Sequence, residues 1–277
     1  TVPDILVPQL LRRRLEGTAF AKRIHHFFKV GSTNEVALAL AADGEPHGTL
    51  VIAEEQSHGR GRFGRRWYSE KGSGIYCTLL LRPAPTQRRA ADSGPALHPR
   101  QAPLITLVAG LATREAVVEV THLPVDVRYP NDLLVNGRKF CGILTEMYAE
   151  LERVLYIVVG IGINVNHTAL PADLKATATS LRLAGGRAYS RLETLVQLLR
   201  WFERYYNRLV QEGPAPILAR FTEVSSYVRD KRVRVDTGRG SFTATTAGLD
   251  DSGILLLRRD DGSVIPHLAG DLTEDRL

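Results

Sequence analysis

The sequence has no apolar run that approaches the roughly eighteen residues of a membrane helix. Its first twenty residues also lack the apolar core of a secretion signal, and they carry arginines at 12–14. These absences predict a cytoplasmic protein without a membrane segment. Cysteine is scarce as well, since only Cys77 and Cys141 occur, both in apolar strand-like runs. We expect both thiols in the core, which argues against a catalytic thiol.

Familiar nucleotide-binding motifs are missing too. No Walker A pattern occurs. The segment 59–64, Gly-Arg-Gly-Arg-Phe-Gly, matches G-x-G-x-x-G, but a dinucleotide fold needs a helix immediately after these glycines. Arg-Arg-Trp-Tyr-Ser and a strand-like run follow instead. The segment is therefore predicted to connect two strands, and a Rossmann site is disfavoured.

The formal net charge of +6 favours an anionic partner, which could be nucleic acid, a nucleotide or an acidic protein surface. Four arginines crowd the glycine-rich segment, namely Arg60, Arg62, Arg65 and Arg66. Glycines let backbone N–H groups approach a ligand, and arginines supply fixed forks for phosphate or carboxylate. We therefore predict a local anion site there, with a solvated turn as the alternative.

Length and composition predict two globular domains. Hydrophobic residues at 44% and charged residues at 24% exclude a disordered or fibrous chain, and 277 residues suffice for one large domain and a small one. We assign residues 1–226 to the large domain. Short strands separated by Gly-rich and Asp-Gly turns then predict a small β-barrel over 227–277. Residues 83–103, rich in proline and small or polar residues, are predicted to be a surface loop.

Local signals predict helices and strands within the large domain. Ser32 with Glu35 has the spacing of a capping box, and Ser190 with Glu193 repeats it, so each pair predicts a helix N-terminus. Asn-Gly at 136–137 is typical of a type I′ turn and predicts a hairpin over 132–147. The other predicted elements are strands at 49–53, 75–81 and 154–165 and a helix that begins near residue 104.

The predicted strand 154–165 has an apolar face and a face on which side chains thin out. The second face reads Tyr156, Val158, Gly160, Gly162 and Asn164, so it leaves room for a ligand beside a polar amide. A helix packed closely on the glycines explains the same pattern equally well.

Lys139 begins the second strand of the predicted hairpin. Strand alternation places it on the same face as Cys141, Ile143 and Met147. A lysine there is a candidate functional group, although lysines at strand ends usually reach solvent.

Six segments, taken in order, closely resemble biotin protein ligases. They are Gly-Ser-Thr-Asn at 31–34, Glu-Gln at 55–56, Gly-Arg-Gly-Arg-Phe-Gly-Arg-Arg-Trp at 59–67, Tyr-Pro-Asn-Asp at 129–132, Lys-Phe-Cys-Gly-Ile-Leu at 139–144 and Gly-Ile-Gly-Ile-Asn-Val at 160–165. The resemblance runs from about residue 30 to the C-terminus. It implies an α+β catalytic domain with a mixed β-sheet and packed helices, related to class II synthetases, followed by an SH3-like β-barrel.

The resemblance implies ATP-dependent formation of biotinyl-5′-AMP and transfer of biotin to a lysine of a biotin carboxyl carrier protein, with Mg²⁺ carried in on the nucleotide. The implied biotin site comprises Ser32, Thr33, Asn34, Gln56, Gly59, Arg60, Gly61, Arg62, Lys139 and Gly142. The implied ATP and adenylate site comprises Arg62, Arg65, Trp67, Asn131, Lys139 and Asn164. We expect Arg60, Arg62 and Lys139 to neutralise charge during catalysis, and Asp132 to be the base for the acceptor lysine. No residue is assigned as a metal ligand.

The chain departs from the family pattern in two places. Arg128-Tyr129 stands where the family usually has Lys-Trp, and arginine keeps the charge but not the ammonium geometry. The loop 83–103 is longer than the family leads us to expect. About thirty residues precede the Gly-Ser-Thr-Asn segment, too few for the helix-turn-helix domain of repressor ligases, so we predict no specific DNA binding. The resemblance leaves monomer and homodimer open.

Two alternatives remain at this point. A lipoate ligase or octanoyl transferase shares the fold and the acyl-transfer logic, but it gives no reason for Gly-Arg-Gly-Arg-x-Gly. A non-enzymatic nucleic-acid-binding protein would explain the sequence pI of about 9.5 and the SH3-like tail. Strongly salt-dependent binding to random DNA would identify the second alternative.

Overall fold

The computed structural model describes residues 5–83, 97, 101–150, 153–236, 240–267 and 271–274. Its α-helices are α1 (Pro8–Arg14), α2 (Thr33–Ala42), α3 (Leu104–Thr121), α4 (Leu181–Gly185), α5 (Arg191–Glu212) and α6 (Ala215–Val224). Its strands are β1 (Ile24–Phe27), β2 (Thr49–Ala53), β3 (Gly74–Leu81), β4 (Val125–Arg128), β5 (Asp132–Val135), β6 (Arg138–Glu150), β7 (Arg153–Asn164), β8 (Arg229–Asp236), β9 (Ser241–Leu249), β10 (Leu255–Arg258), β11 (Val264–Pro266) and β12 (Asp271–Glu274). Single turns of 3-10 helix lie at Ala19–Ala21 and Arg62–Gly64.

Two β-sheets organise the chain. The larger sheet has seven strands in the order β1-β2-β3-β7-β6-β5-β4, in which β1 and β2 run parallel and the other neighbours run antiparallel. The second sheet has five antiparallel strands in the order β11-β10-β9-β8-β12. The predicted fold class, a mixed sheet with packed helices followed by a small C-terminal β-domain, is confirmed. The boundary predicted between residues 226 and 227 falls between α6 and β8 and stays a prediction.

Helices cover the two faces of the large sheet unequally. One face packs against α3 and α5, which contribute Leu111 and Phe202 to the main hydrophobic core. On the other face, α2 packs its small side chains Ala37 and Ala41 against Val158 and its neighbours. Alanine side chains let α2 lie close to the sheet, and its ten residues leave part of this face uncovered. The candidate site lies in that uncovered part.

Most of the predicted elements are present. The hairpin turn is confirmed, with φ of +51° at Asn136 and +72° at Gly137. At α5 the Ser190 hydroxyl accepts the Glu193 N–H at 3.1 Å, as the capping-box spacing predicts. At α2 the helix begins after Ser32, but the Ser32 side chain makes no capping hydrogen bond, so that detail of the prediction is wrong. The elements that the sequence pattern did not indicate all have ten residues or fewer, namely α1, α4, α6, β1, β4 and β12.

Both cysteines lie in the core, as predicted. Cys77 on β3 and Cys141 on β6 are buried, and burial raises the pKa of both thiols, to about 12 for Cys77. A thiol that stays protonated at neutral pH behaves as a small hydrophobic side chain and is a poor nucleophile.

The surface loop predicted at 83–103 is described only at Pro83, at Leu97 and over 101–103. Leu97 is buried in the main core. The rest of this predicted loop lies outside the described residues. Within the described ranges, no helix is long and apolar enough to cross a bilayer.

A buried ion pair ties the N-terminal segment, β2 and α5 together. Glu54 follows β2, and its Oε2 accepts a hydrogen bond from Arg191 Nη1 at 2.8 Å. Its Oε1 accepts the Leu6 N–H at 3.0 Å and lies 3.2 Å from His26 Nε2. Burial alone would raise the pKa of Glu54, but the Arg191 charge and these hydrogen bonds outweigh it and hold the pKa below its ordinary value. The carboxylate is therefore ionised in the folded protein.

We predict that Glu54→Gln destabilises the fold by about 3–5 kcal/mol at neutral pH, because it leaves Arg191 buried without its counter-ion. The pKa of Glu54 in the folded protein lies below the unfolded value of 4.5. The ionised Glu54 therefore stabilises the fold fully above pH 4.5, and this stabilisation is lost as the pH falls through the folded-state pKa. Urea unfolding at neutral and acidic pH measures both effects. Glu55→Gln is the matched control, because Glu55 pairs with the exposed Lys29 and its loss should cost under about 1 kcal/mol. Equal losses in the two variants would contradict the assigned role of Glu54.

Candidate active site

A cavity of about 650 Å³ opens on the uncovered part of the sheet. Its walls come from the start of α2, the glycine- and arginine-rich segment 59–67, the β5–β6 hairpin, the glycine-bearing face of β7, residues 174–178 and the C-terminal domain. Every predicted site residue except Gly59 lines it, namely Ser32, Thr33, Asn34, Gln56, Arg60, Gly61, Arg62, Arg65, Trp67, Asn131, Asp132, Lys139, Gly142 and Asn164. Gly59 is packed against the end of the same segment, where an added Cβ would be 2.6 Å from the Trp67 carbonyl oxygen. The fold therefore gathers the predicted residues into one place.

Polar groups at the start of α2 form one end of the cavity. Gln56 Oε1 accepts the Thr33 N–H at 2.8 Å, so Gln56 occupies the capping role that the sequence pattern assigned to Ser32. Asn34 Oδ1 accepts a hydrogen bond from Thr78 Oγ1 at 2.7 Å, and Asn34 Nδ2 donates to Leu144 O at 3.2 Å. These bonds fix the orientation of both amide side chains. Donors and acceptors at this end are therefore arranged before any ligand arrives.

The segment 59–67 closes on itself as a tight loop. Arg65 O accepts the Gly61 N–H at 2.7 Å, and Gly59 O accepts the Trp67 N–H at 2.8 Å. The tip turns through positive φ at Phe63 (+57°) and Gly64 (+71°). The predicted connection between two strands is confirmed, because the segment lies between β2 and β3.

The first two arginines of this loop point in different directions. Arg60 Nη2 lies 2.6 Å from Glu146 Oε2, on the side of α2. Arg62 Nη1 donates to Asn131 Oδ1 at 3.1 Å. Burial lowers the pKa of Arg62, while the Asp132 charge opposes this shift, and a guanidinium stays charged throughout the physiological range. Arg62 thus places a fixed positive charge beside Asp132.

The thin face of β7 accommodates two side chains from other elements. Asn34 lies over Gly160, where an added Cβ would overlap its amide. Trp67 lies over Gly162, where an added Cβ would be 2.5 Å from the indole Nε1. The predicted room therefore exists. The alternative explanation, close packing of a helix, also applies at Gly160, because Asn34 belongs to α2.

Lys139 lies on the cavity face, and its predicted position beside Cys141 is wrong. In the β5–β6 pairing Leu133 faces Cys141 and Leu134 faces Lys139, so Phe140 is an extra residue in β6. Such a bulge interrupts the alternation of side chains. Lys139 therefore lies over Gly142, where an added Cβ would be 3.2 Å from Lys139 Nζ.

Asp132 stands between two cations at the floor of the cavity. Its Oδ2 is 2.6 Å from Arg128 Nη2, and its Oδ1 is 2.5 Å from Lys139 Nζ. Burial alone would raise the pKa of Asp132, but the charges and hydrogen bonds of Lys139 and Arg128 outweigh it and lower the pKa. The carboxylate is therefore ionised at neutral pH, and its contact with Lys139 Nζ holds that side chain at the cavity.

Asn164, at the end of β7, lines the cavity. Its Nδ2 donates to Thr179 O at 3.1 Å, which fixes the amide. Its Oδ1 is buried and has no hydrogen-bond partner among the described residues. The indole N–H of Trp67 is also buried without a hydrogen-bond partner among the described residues. Buried polar atoms of this kind find their partners in ordered water or in a bound ligand.

Sequence reasoning missed several residues of the cavity. Arg128 was noted only as a departure from the family pattern, although it pairs with Asp132. The contributions from residues 174–178 and from Tyr227, Thr273 and Glu274 had no local signal, because they reach the cavity through the folding of distant segments.

Comparisons with known proteins place these observations in a family. The model of the Biotin/lipoate A/B protein ligase family matches residues 29–164, and that of the Biotin protein ligase C terminal domain matches residues 230–271. The bifunctional ligase/repressor BirA of Bacillus subtilis is 35% identical over 263 residues, which cover 94% of this chain and 77% of that protein. The biotin–acetyl-CoA-carboxylase ligase of Mycobacterium tuberculosis is 33% identical over 254 residues, covering 90% of this chain and 87% of that protein.

A solved structure agrees with the sequence relatives. The biotin protein ligase of Aquifex aeolicus in complex with biotin and ATP matches with a TM-score of 0.74 and 27% identity, covering 92% of this chain and 100% of that chain. Sequence and fold therefore point to the same group of enzymes over almost the whole chain. The chain belongs to the biotin protein ligases of the biotin/lipoate A/B protein ligase family.

Proposed function

We propose that this enzyme activates biotin with ATP to biotinyl-5′-AMP and then transfers the biotin to a specific lysine of a biotin carboxyl carrier protein. The names of its relatives, which include biotin–acetyl-CoA-carboxylase ligases, support a carboxylase as the acceptor. The observation that carries the proposal is the layout of the cavity. Polar side chains stand at one end, cations surround Asp132, and a buried amide acceptor stands at Asn164.

The polar end at α2 suits the ring of biotin. The ureido group of biotin has one carbonyl and two N–H groups, so its site must offer both donors and acceptors. Ser32, Thr33, Asn34 and Gln56 offer both, and the backbone from Gly59 to Arg62 lies beside them. Lipoate and octanoate have no such group at the far end of the chain. This end of the cavity therefore favours biotin over the substrates of lipoate ligases and octanoyl transferases.

The acceptor at Asn164 suits the adenine of ATP. The exocyclic amine of adenine is a donor, whereas guanine has a carbonyl at the same position. A carbonyl oxygen of Asn164 that lacks a partner would accept from adenine and repel guanine. Trp67 and Arg65 line the same cavity and would cover the adenylate.

The adenylation step needs charge neutralisation more than it needs a nucleophile from the enzyme. A carboxylate oxygen of biotin attacks the α-phosphorus of ATP and forms an oxygen–phosphorus bond. The bond from the α-phosphorus to the bridging oxygen breaks, and pyrophosphate leaves. Lys139 pairs with Asp132 and Arg62 lies near the same carboxylate, so both can neutralise the reacting carboxylate and phosphate. Arg60 and Arg65 add positive charge on the loop. Both oxygens of Asp132 already pair with cationic side chains, so this carboxylate is not proposed as a Mg²⁺ ligand. We propose instead that Mg²⁺ arrives bound to the phosphates of the nucleotide.

In the transfer step the acceptor lysine must lose a proton, because its free pKa is near 10.4. We propose that Asp132 accepts this proton, because its carboxylate is ionised and lines the cavity. Since Arg128 and Lys139 lower the pKa of Asp132, the proton passes on to solvent. The C-terminal domain reaches the cavity through Tyr227 and Thr273, which supports a role in receiving the carrier.

The first prediction from the proposed function concerns substrate choice. With ATP and Mg²⁺, the purified protein should release pyrophosphate when biotin is added and should not do so with lipoate or octanoate. A coupled pyrophosphate assay with adenylate detection measures this. Reaction with lipoate alone would keep the fold assignment and overturn the substrate.

The second prediction concerns Asn164. Asn164→Leu removes the buried acceptor at similar volume, so the KM for ATP should rise about three- to tenfold, the value of one uncharged hydrogen bond. The dissociation constant of biotin, measured by calorimetry without nucleotide, should not change. An unchanged KM for ATP would contradict adenine binding at Asn164.

The third prediction concerns Asp132. Asp132→Asn should slow single-turnover transfer from supplied biotinyl-AMP by about a hundredfold or more if the carboxylate receives the proton. Arg128→Gln is the control, because it removes one ion-pair partner and leaves the carboxylate in place. Equal slowing in both variants would assign Asp132 to holding the cations instead of accepting the proton.

A further inference from the structure

Glu146 lies on the cavity face of the large sheet, beside residues proposed to bind biotin. It stands opposite Val158 in the β6–β7 pairing, and directly paired residues of antiparallel strands point to the same face. Val158 is part of the small core under α2. The Glu146 side chain therefore extends from the sheet toward the start of α2.

Groups from two different elements bind this carboxylate. Arg60 Nη2, from the loop 59–67, lies 2.7 Å from Oε1 and 2.6 Å from Oε2. Asn34 Nδ2, from α2, donates to Oε2 at 2.8 Å. The Arg60 guanidinium also has Nε 3.9 Å from Glu35 Oε1, so a carboxylate of α2 stands on its other side. Glu146 thus joins the arginine-rich loop to α2.

The same carboxylate determines which way the Asn34 amide faces. Asn34 Oδ1 accepts from the Thr78 hydroxyl at 2.7 Å, while Nδ2 faces Glu146 and Leu144 O. A flipped amide would set its oxygen against the Glu146 carboxylate, and two acceptors repel at that distance. Only one orientation of the amide is therefore favourable.

The loop 59–67 is attached to the two sides of the cavity by its first two arginines. Arg60 binds Glu146 beside α2, and Arg62 binds Asn131 Oδ1 at 3.1 Å on the side of Asp132. The hydrogen bonds from Gly61 N to Arg65 O and from Trp67 N to Gly59 O lie within the loop, so they do not attach it to the rest of the protein. Side chains such as Arg60 and Arg62 make that attachment. Loss of the Arg60 attachment would free the end of the loop nearest α2.

We infer that Glu146 is a positioning residue for biotin. It holds Arg60, and with it the backbone of residues 59–62, next to the ring pocket, and it orients the Asn34 amide in that pocket. The inference rests on the proposed function, because it takes residues 32–34 and 59–62 as the biotin site. Glu146 acts through Arg60 and Asn34 and takes no part in the chemical steps.

The test compares Glu146→Gln and Glu146→Ala with Glu150→Gln, a control on the same strand whose carboxylate is exposed and pairs with Arg153 at 3.3 Å. Calorimetry without ATP gives the dissociation constant of biotin, and pyrophosphate release gives KM and kcat. Both Glu146 variants should weaken biotin binding and raise its KM about tenfold, which equals about 1.4 kcal/mol. The kcat at saturating biotin should fall by a smaller factor than the KM rises, because only Arg60 loses its partner while Arg62 keeps Asn131 and Lys139 keeps Asp132.

A double-mutant cycle separates positioning from a general structural effect. Arg60→Gln combined with Glu146→Gln should weaken biotin binding by less than the product of the two single effects, because both changes remove the same ion pair. This coupling should shrink at high salt, since the pair is partly exposed. Independent effects, or unchanged biotin affinity in a folded Glu146 variant, would overturn the inference. If Glu146→Ala has a lowered melting temperature, the biotin affinity of Glu146→Gln, which keeps the shape of the side chain, is the deciding measurement. Failure of the wild-type protein to bind biotin would instead overturn the proposed function.

Discussion

The site depends on the absence of two side chains from the middle of the large sheet. Gly160 and Gly162 lie on β7, which is hydrogen-bonded to β3 on one side and to β6 on the other. Glycine weakens a strand because it has no side chain to pack, and a central position with partners on both sides tolerates this loss. Any larger residue at these positions would collide with Asn34 or Trp67. The start of α2 and the end of the arginine-rich loop can therefore both lie directly on the sheet, and the cavity forms between them.

Charge is the second organising feature. The net charge of +6 is partly concentrated around one partly buried carboxylate, because Asp132 pairs with Arg128 and Lys139 and has Arg62 nearby. One anion among these cations leaves an excess of positive charge in a cavity where water screens it poorly. Such a field attracts the phosphates of a nucleotide and the carboxylate of a substrate. Arg128, at the position where the resemblance led us to expect lysine, keeps that charge and donates one hydrogen bond from Nη2 to Asp132 Oδ2.

Much of the fold was predictable because its signals are local. The Asn-Gly turn, the cap at Ser190 and the apolar strands around Val51 and Val159 follow from residues close together in the chain. The predictions that were wrong failed for non-local reasons. The Thr33 N–H is bound by Gln56, which is distant in sequence, so the Ser32 hydroxyl is not the cap. An extra residue in β6 moves Lys139 to the other face, and strand alternation alone cannot reveal such a bulge.

The sequence by itself determined the family and fourteen of the residues that line the cavity, because these glycines, arginines and amides stand in motifs that resemble one family. Only the tertiary structure decided which way each side chain points and what it pairs with. Arg60 reaches Glu146 and Arg62 reaches Asn131, although the two arginines are separated by a single glycine. Asp132 is balanced by two cations, and Asn164 keeps a buried acceptor that has no hydrogen-bond partner among the described residues. The physical reason is that hydrogen bonds and ion pairs depend on distances of a few ångströms between segments far apart in the chain, and local patterns carry no information about those distances.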